Sequence, residues 1–473
     1  MPRTNFRRYG FLTLSLLVVL SMLLAACAPA AAPAPAPAPT QPPAAAPAAT
    51  EAPAAAPTEA PAAAPTEVPA AAPTEAPAAV MLEMYHDKAA WEPNTNAMGE
   101  MAATDVGVGW TTVASADTTN YQTTVRAALG TDAAPDLYTW WSGYRMEDIV
   151  KAGGAADLTE IWKKYEASGE YSKSVADAFT FDGKVYAVPL LTANWLIYYN
   201  KKVFADNGLE PPKTWDEFIK INDTLKAKDI TPMAISINGR WPAFILFEEL
   251  LMRTAGPDFY NKLMAGEAKY TDPEVVTAME LWADMFKKGY FTDPGVTLGT
   301  AANDILPMFQ QGKVAMIPIG DWYSSTLVGA GMKPGEDYDA FIMPNKDASL
   351  PPALFFEAGP LLVGEKSPNK EAAMKAVDWW MSVPAQNKWS ELAGFTSANA
   401  NADPGNVVGA GIQKWISDNK ATYVQRYWEA TPPDIVEVAV DEFGRFITDP
   451  STMDQVLKTI QEKADEVWAA RTQ

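Results

Sequence analysis

Thiol and imidazole are nearly absent from this chain, which carries one cysteine, Cys27, and one histidine, His86, among 473 residues. That scarcity excludes almost every zinc, copper or iron site and nearly every Ser–His–Asp arrangement. Residues 80–473 hold no cysteine at all, so no disulfide can form there and stability rests on packing. No D-x-[DN]-x-[DN]-G loop is present for calcium, and the Gly-Ala-Gly segments at 329–331 and 409–411 lack the G-K-[ST] ending of a phosphate loop. No cofactor is expected. Positive charge is also short: 37 Lys and Arg face 58 Asp and Glu, a formal charge of −21. Phosphate-backbone binding and adhesion to anionic lipid through a polybasic face both need the opposite sign. Nucleic acid is excluded as a partner.

What is present begins at the amino terminus. Arg3, Arg7 and Arg8 precede the apolar run Phe11–Ala26, whose 16 residues fall short of the ~20 that span a bilayer. The run closes on Leu24-Ala25-Ala26-Cys27, which resembles the bacterial lipobox. That resemblance implies a lipoprotein signal peptide at residues 1–26, diacylation of Cys27 and an exported, membrane-anchored chain. Losing three arginines would take the mature charge to −24. From Ala28 to Ala79 the chain is almost entirely Ala, Pro, Thr and Glu, with an eight-residue repeat starting at Glu51, Glu59 and Glu67. It has few apolar side chains to bury, so residues 27–79 read as a disordered tether reaching at most about 160 Å.

Residues 80–473 leave 394 residues, too many for one simple core and suited to two lobes. Met81–Tyr85 and Val106–Val113 read as strands, Tyr121–Leu129 as a helix, and this alternation continues, which points to α/β lobes. The segment Trp91–Asp105 shows no clear amphipathic helix. Val185–Ala187 and Leu196–Tyr199 read as two strands broken by Pro189–Asn194, and Leu354–Phe356 and Leu361–Val363 as two more broken around Glu357–Pro360. Two interruptions predict two crossings between lobes, near residues 191 and 358. Val275, Met279, Trp282 and Phe286 recur at helical spacing as a core stripe. The carboxyl end, through Ile412–Ser417, Ile435–Phe446 and Met453–Ala470, reads as helical.

Val185-Tyr186-Ala187-Val188-Pro189, then Tyr198-Tyr199-Asn200-Lys201, then Pro211-Pro212-Lys213-Thr214-Trp215-Asp216-Glu217-Phe218 follow one another in this order. With the GKVAM run from Gly312, Gly320-Asp321-Trp322 and the SPNKEAA run from Ser367, they closely resemble the family 1 extracellular solute-binding proteins, the sugar-binding components of ABC importers. The resemblance covers essentially all of residues 80–473. It implies a two-lobed α/β periplasmic-binding-protein-like fold with a C-terminal helical segment. The lobes expected are 80–192 with 358–400, and 193–357 with 401–473. It also implies a monomer, no catalysis, and an ABC permease with its ATPase as partners.

A sugar offers C–H-rich ring faces and a rim of hydroxyls, so its site stacks aromatics and aims Asp, Glu or Asn at the rim. Candidate contacts are Trp140, Trp141 and Tyr144 in the loop after a strand, with one of the adjacent tryptophans expected to turn into the core. Trp241 sits in the loop Gly239–Pro242, and Asp321-Trp322 ends a strand after Gly320. Asn194 matches a ligand-contacting position of the family, with Trp195 open between cleft and packing. Glu357 and Gly359 stand at the second crossing, Asp87 follows the first strand, and Tyr427-Trp428 is open between cleft and packing. Other readings are an amino acid, polyamine or osmolyte in the same cleft, a glycoside hydrolase with two carboxylates across its bond, or an adhesive surface module.

Overall fold

The computed structural model describes residues 78–115, 117–299, 301–393 and 396–471. The signal peptide, Cys27 and the tether up to residue 77 lie outside the described residues. Strands β1 (Val80–His86), β2 (Val108–Ala114) and β3 (Leu137–Thr139) pair in parallel around β1. A short hairpin, β4 (Thr180–Phe181) with β5 (Lys184–Val185), leads into β6 (Val188–Asn200). Then follow β7 (Thr231–Met233), β8 (Val314–Gly320), β9 (Tyr338–Phe341), β10 (Ala353–Val363) and β11 (Thr422–Gln425). The main path of the sheet runs β2-β1-β3-β10-β6-β8-β7, with β9 on β6 and β11 on β10. Helices fill the connections, so the fold is mixed α/β.

Two cores lie along this sheet. One is built from residues between Leu82 and Ala193 with Phe356 to Trp389, the other from Trp195 to Phe355 with Val408 to Val467. Strands β6 and β10 are the ones that pass between them. The first half of β6 pairs antiparallel with β10, from Phe356 opposite Asn194 to Leu361 opposite Val188. Its second half pairs with β8 and β9 in the other lobe. Strand β10 runs the reverse course, from β11 at Ala353–Phe356 to β3 at Leu361–Val363.

Two expectations are corrected here. The crossings are two continuous strands, not pairs of broken ones. Pro189 and Pro360 stand opposite each other, and the register shifts between Gly359 and Pro360. A bulge is where a strand tolerates proline, because the missing N–H disturbs no regular rung. The three C-terminal segments are helical as read, within Val407–Asn419, Pro433–Thr448 and Met453–Arg471, and β11 lies between the first two. And Trp91–Asp105 does hold a helix, Glu92–Val106, whose buried face is Thr95, Met98, Gly99 and Ala102. Small side chains leave almost no hydrophobic periodicity, yet they are what lets this helix press on β2. A Cβ on Gly99 would fall on the backbone carbonyl of Trp110.

The stripe on the helix Pro273–Lys287 is core: Trp282 is 1 % exposed and its ring lies 4.9 Å from that of Phe446. The close approach at Gly99 generates a test. Gly99→Ala should lower the denaturant midpoint of the full chain with an unchanged slope, by about 1–3 kcal/mol of overpacking. An unaltered midpoint would show that the helix does not sit on Trp110 as described.

Candidate functional site

Side chains on a strand alternate between its faces, so the crossing strands present different residues to their two sides. Leu191 and Trp195 of β6, with Glu357 of β10, line a cleft of about 470 Å³. Thr192 and Asn194 of β6, with Phe356 of β10, line a separate cavity of about 510 Å³, shared with Ser172 and Tyr423. The first cleft carries the aromatic surface. Trp91 and Trp141 come to it from the first lobe, and Trp241, Phe244, Trp322 and Trp428 from the second. Five of these indoles, at 91, 141, 241, 322 and 428, are only half-buried.

The indoles are held by one another and by cations. Trp241 stands edge-on to Trp195 and to Trp322, each at 6.1 Å, and Trp428 stacks on Phe244 at 5.9 Å. Lys88 Nζ lies 5.6 Å from the Trp91 ring and 5.7 Å from the Trp141 ring, a cation–π arrangement that joins the first-lobe pair. The Arg426 guanidinium covers Trp195 at 3.2 Å and Phe244 at 5.0 Å. Its Nε and Nη2 both donate to Glu248 Oε1, at 2.8 and 2.7 Å, while Glu248 Oε2 accepts from the Tyr427 amide at 2.8 Å. Burial pushes Glu248 up to about 7 against the pull of Arg426. A planar guanidinium fixed along one edge is a rigid plate for the ring beneath it.

The Gly320-Asp321-Trp322 turn is built from the strand outward. Asn194 Nδ2 donates to Asp321 Oδ2 at 3.0 Å, and the Asp321 amide donates to the Asn194 carbonyl at 2.8 Å. Tyr198 Oη donates to the Asp321 carbonyl at 3.1 Å. Burial pushes Asp321 up to about 7, opposed by the bonds from Asn194. A Cβ on Gly320 would strike the Trp322 indole, so the glycine leaves the ring room to fold over the turn.

The expected contacts therefore divide. Trp141, Trp241, Trp322 and Glu357 line the cleft. Trp140 does not: it is 4 % exposed, gives its Nε1 proton to the Arg145 carbonyl at 3.0 Å, and lies under Arg126. Tyr144 opens the helix Tyr144–Lys151 and turns to Trp468 and Arg471, away from the cleft. Asn194 and Asp321 lie behind the lining, bonded to each other. Gly359 stands opposite Leu191, whose side chain fills the place of its missing Cβ. Asp87 pairs with Lys88 at 2.7 Å, and it is Lys88 that reaches the cleft. His86 is buried, accepts from the Lys88 amide through Nδ1 at 3.2 Å, and is held below its usual value by burial.

Lys88, Trp91, Leu191, Phe244, Ser325, Thr326, Arg426 and Glu429 also line the cleft and are not among the expected contacts. A signal for two of them existed. Arg426-Tyr427-Trp428-Glu429 sets two aromatics between two charges directly after a strand, the usual place of ligand contacts in α/β proteins. Among the described residues, no group of three His, Cys, Asp or Glu is placed to hold a metal ion.

The chain is similar to known proteins in sequence and in fold. The chain is 27 % identical over 296 residues to an uncharacterized ABC transporter extracellular-binding protein of Pyrococcus horikoshii, covering 61 % of this chain and 64 % of that one. It is 28 % identical over 210 residues to a probable sugar-binding periplasmic protein of Mesorhizobium japonicum, covering 44 % and 49 %. The chain thus matches about half to two-thirds of the length of these two relatives. In fold it is similar to the bacterial solute receptor AcbH, described for its preference for β-D-galactopyranose, at a TM-score of 0.70 and 22 % identity over 82 % of this chain and 99 % of that one. The sequence profile for the bacterial extracellular solute-binding proteins matches residues 87–387, and the chain belongs to that family.

Proposed function

We propose that this protein captures a mono- or oligosaccharide in the cleft between its lobes and delivers it to the permease and ATPase of an ABC importer. One observation carries the reading. Half-buried indoles from both lobes surround a single cleft of about 470 Å³ whose rim also carries Glu357, Glu429, Ser325 and Thr326. Flat ring faces suit the C–H faces of a sugar, and carboxyl and hydroxyl groups suit its hydroxyls. Because Trp91 and Trp141 belong to one lobe and Trp241 and Trp322 to the other, a ligand touching both would favour the closed arrangement over an open one.

A second reading has its own observation. Lys88 already lies on the Trp91 and Trp141 rings, so the same indoles could hold a cationic ligand such as a polyamine or an ammonium osmolyte. Two carboxyl groups in one cleft, Glu357 and Glu429, are also what a glycoside hydrolase would require. A titration of the full chain separates these. Binding of a neutral sugar should raise the melting temperature and change tryptophan fluorescence together, since a ligand selective for the folded state stabilises it. Trp322→Ala should weaken that binding by about tenfold. Response to polyamines alone would redirect the ligand class, and sugar cleavage lost in Glu357→Gln would overturn the binding reading.

We further propose that the chain is exported and anchored through a diacylated Cys27, supported by the Leu24–Cys27 sequence and by the extracellular character of the family. Cells fed labelled palmitate should label the wild-type chain in the membrane fraction and leave Cys27→Ser unlabelled. Equal labelling of both would sink the assignment to Cys27.

A further inference from the structure

Glu429 sits in the turn Tyr427–Ala430 after β11, lines the cleft, and is 4 % exposed. Its Oε2 is buried without a hydrogen-bond partner. Both lobes hold it in place. Gly143, in a left-handed conformation at φ +64°, packs where a Cβ would strike the Glu429 carbonyl. Arg145 Nη1 approaches the Trp428 carbonyl at 3.4 Å, with its guanidinium 4.7 Å from the Trp428 ring.

The neighbouring charges do not neutralise it. Arg426 gives its Nε and Nη2 to Glu248, and Arg145 pairs with Glu437 at 3.5 Å. Lys88, on the far lobe, pairs with Asp87 at 2.7 Å. Glu357 of β10 lines the same cleft, and Glu248 and Tyr260 of the helix Ile245–Met264 are close enough to interact with Glu429 electrostatically. Burial first and Glu357 second push Glu429 up to about 8, with Arg426 and Arg145 opposing. Burial and a nearby second acid both favour the protonated form of a carboxyl group. A carboxylic acid has an O–H to donate where a carboxylate can only accept.

We propose that Glu429 and Glu357 act on the bound ligand together, Glu429 donating to it and Glu357 accepting from it, and that the two select a neutral polyol over its carboxylated counterpart. The inference rests on the carbohydrate reading of the same cleft. A ligand hydroxyl satisfies both groups because it accepts and donates at once. A ligand carboxylate can accept from Glu429 but offers Glu357 nothing except like charge, and the cations of the cleft are already paired.

The pair is tested with and without ligand, on the full chain, using D-glucose with D-glucuronate and D-galactose with D-galacturonate as matched probes. The neutral member of a pair should bind and its uronate should not. Affinity should fall about tenfold between pH 7 and 9, as the protonated fraction falls. Binding at pH 9 should take up protons, read by calorimetry in two buffers of different ionisation enthalpy. In Glu429→Gln the affinity that remains should be flat over that range. Preference for the uronate, or pH-independent binding by the wild type, overturns the proposal while leaving sugar capture intact.

The ligand-free arm stands apart from the sugar reading. The folded value of Glu429 lies above its ordinary value near 4.5, so its stabilising proton is fully present below about pH 4.5 and lost as pH rises through about 8. Glu248 and Asp321, both raised to about 7, add a similar loss at lower pH. The wild-type melting temperature should therefore fall from pH 5 to 9, and Glu429→Gln should lack the part of that fall above pH 7. Glu357→Gln should move that part to lower pH, which covers the case in which Glu429→Gln does not fold. Superimposable profiles for all three proteins would overturn the pair even if no sugar binds.

Discussion

Everything in this molecule hangs on one antiparallel ladder, β6 against β10, because it is the part of the sheet that belongs to both cores. Each strand leaves one core and enters the other, β6 between Ala193 and Trp195 and β10 between Phe355 and Phe356. The two-residue period of a strand then sorts side chains by face. Leu191, Trp195 and Glu357 fall to the cleft, and Thr192, Asn194 and Phe356 to the opposite side. A slip of one residue would exchange the two sets, so the register opposite Phe356 and Asn194 is as much a part of the site as the tryptophans. The prolines at 189 and 360 fit this scheme because the ladder is irregular where they meet.

Charge is buried beneath the aromatic surface in a form that stiffens it. Arg426 is stacked on Trp195 and bound along its edge by Glu248, with both side chains at most 4 % exposed. A second pair, Arg253 with Glu249 at 2.9 Å, lies on the same helix and ties to the Ala353 carbonyl at the start of β10. Such pairs return little net stability after desolvation, but breaking one leaves an uncompensated charge in the core. Their consequence is positional: they set the planes against which ring faces and the Glu429 turn are held. Glu429 is a buried acid outside these pairings, with one oxygen left without a partner.

The fold was legible to the extent that each element buries a large apolar stripe. Trp282 and its helical partners, the capping box at Thr214 and Glu217, and the strand Val314–Gly320 all carry strong local patterns. The helix Glu92–Val106 was not legible, since its buried face is Thr, Met, Gly and Ala, and closeness to Trp110 rather than hydrophobic bulk holds it. Strand β11 is four residues long and borrows its order from β10. Its concealment hid Arg426 and Glu429, whose place depends on pairing with a strand some seventy residues earlier.

The sequence alone determined the chemistry available: no cysteine or histidine cluster for metals or nucleophiles, a strongly acidic surface, many tryptophans, and family motifs that specify two α/β lobes. These are properties of composition and local order, which survive without a partner segment. Which tryptophan presents a ring to the cleft was decided only by tertiary structure. Trp140 and Trp141 are neighbours with equal local claims, yet Trp140 is sealed by Tyr121, Arg126 and the Arg145 carbonyl while Trp141 stays open beside Lys88. The same holds for Glu429, where a buried oxygen without a partner exists only because two lobes and four other charged groups close around it. Burial and its electrostatic cost belong to the assembled core, and no stretch of chain carries them by itself.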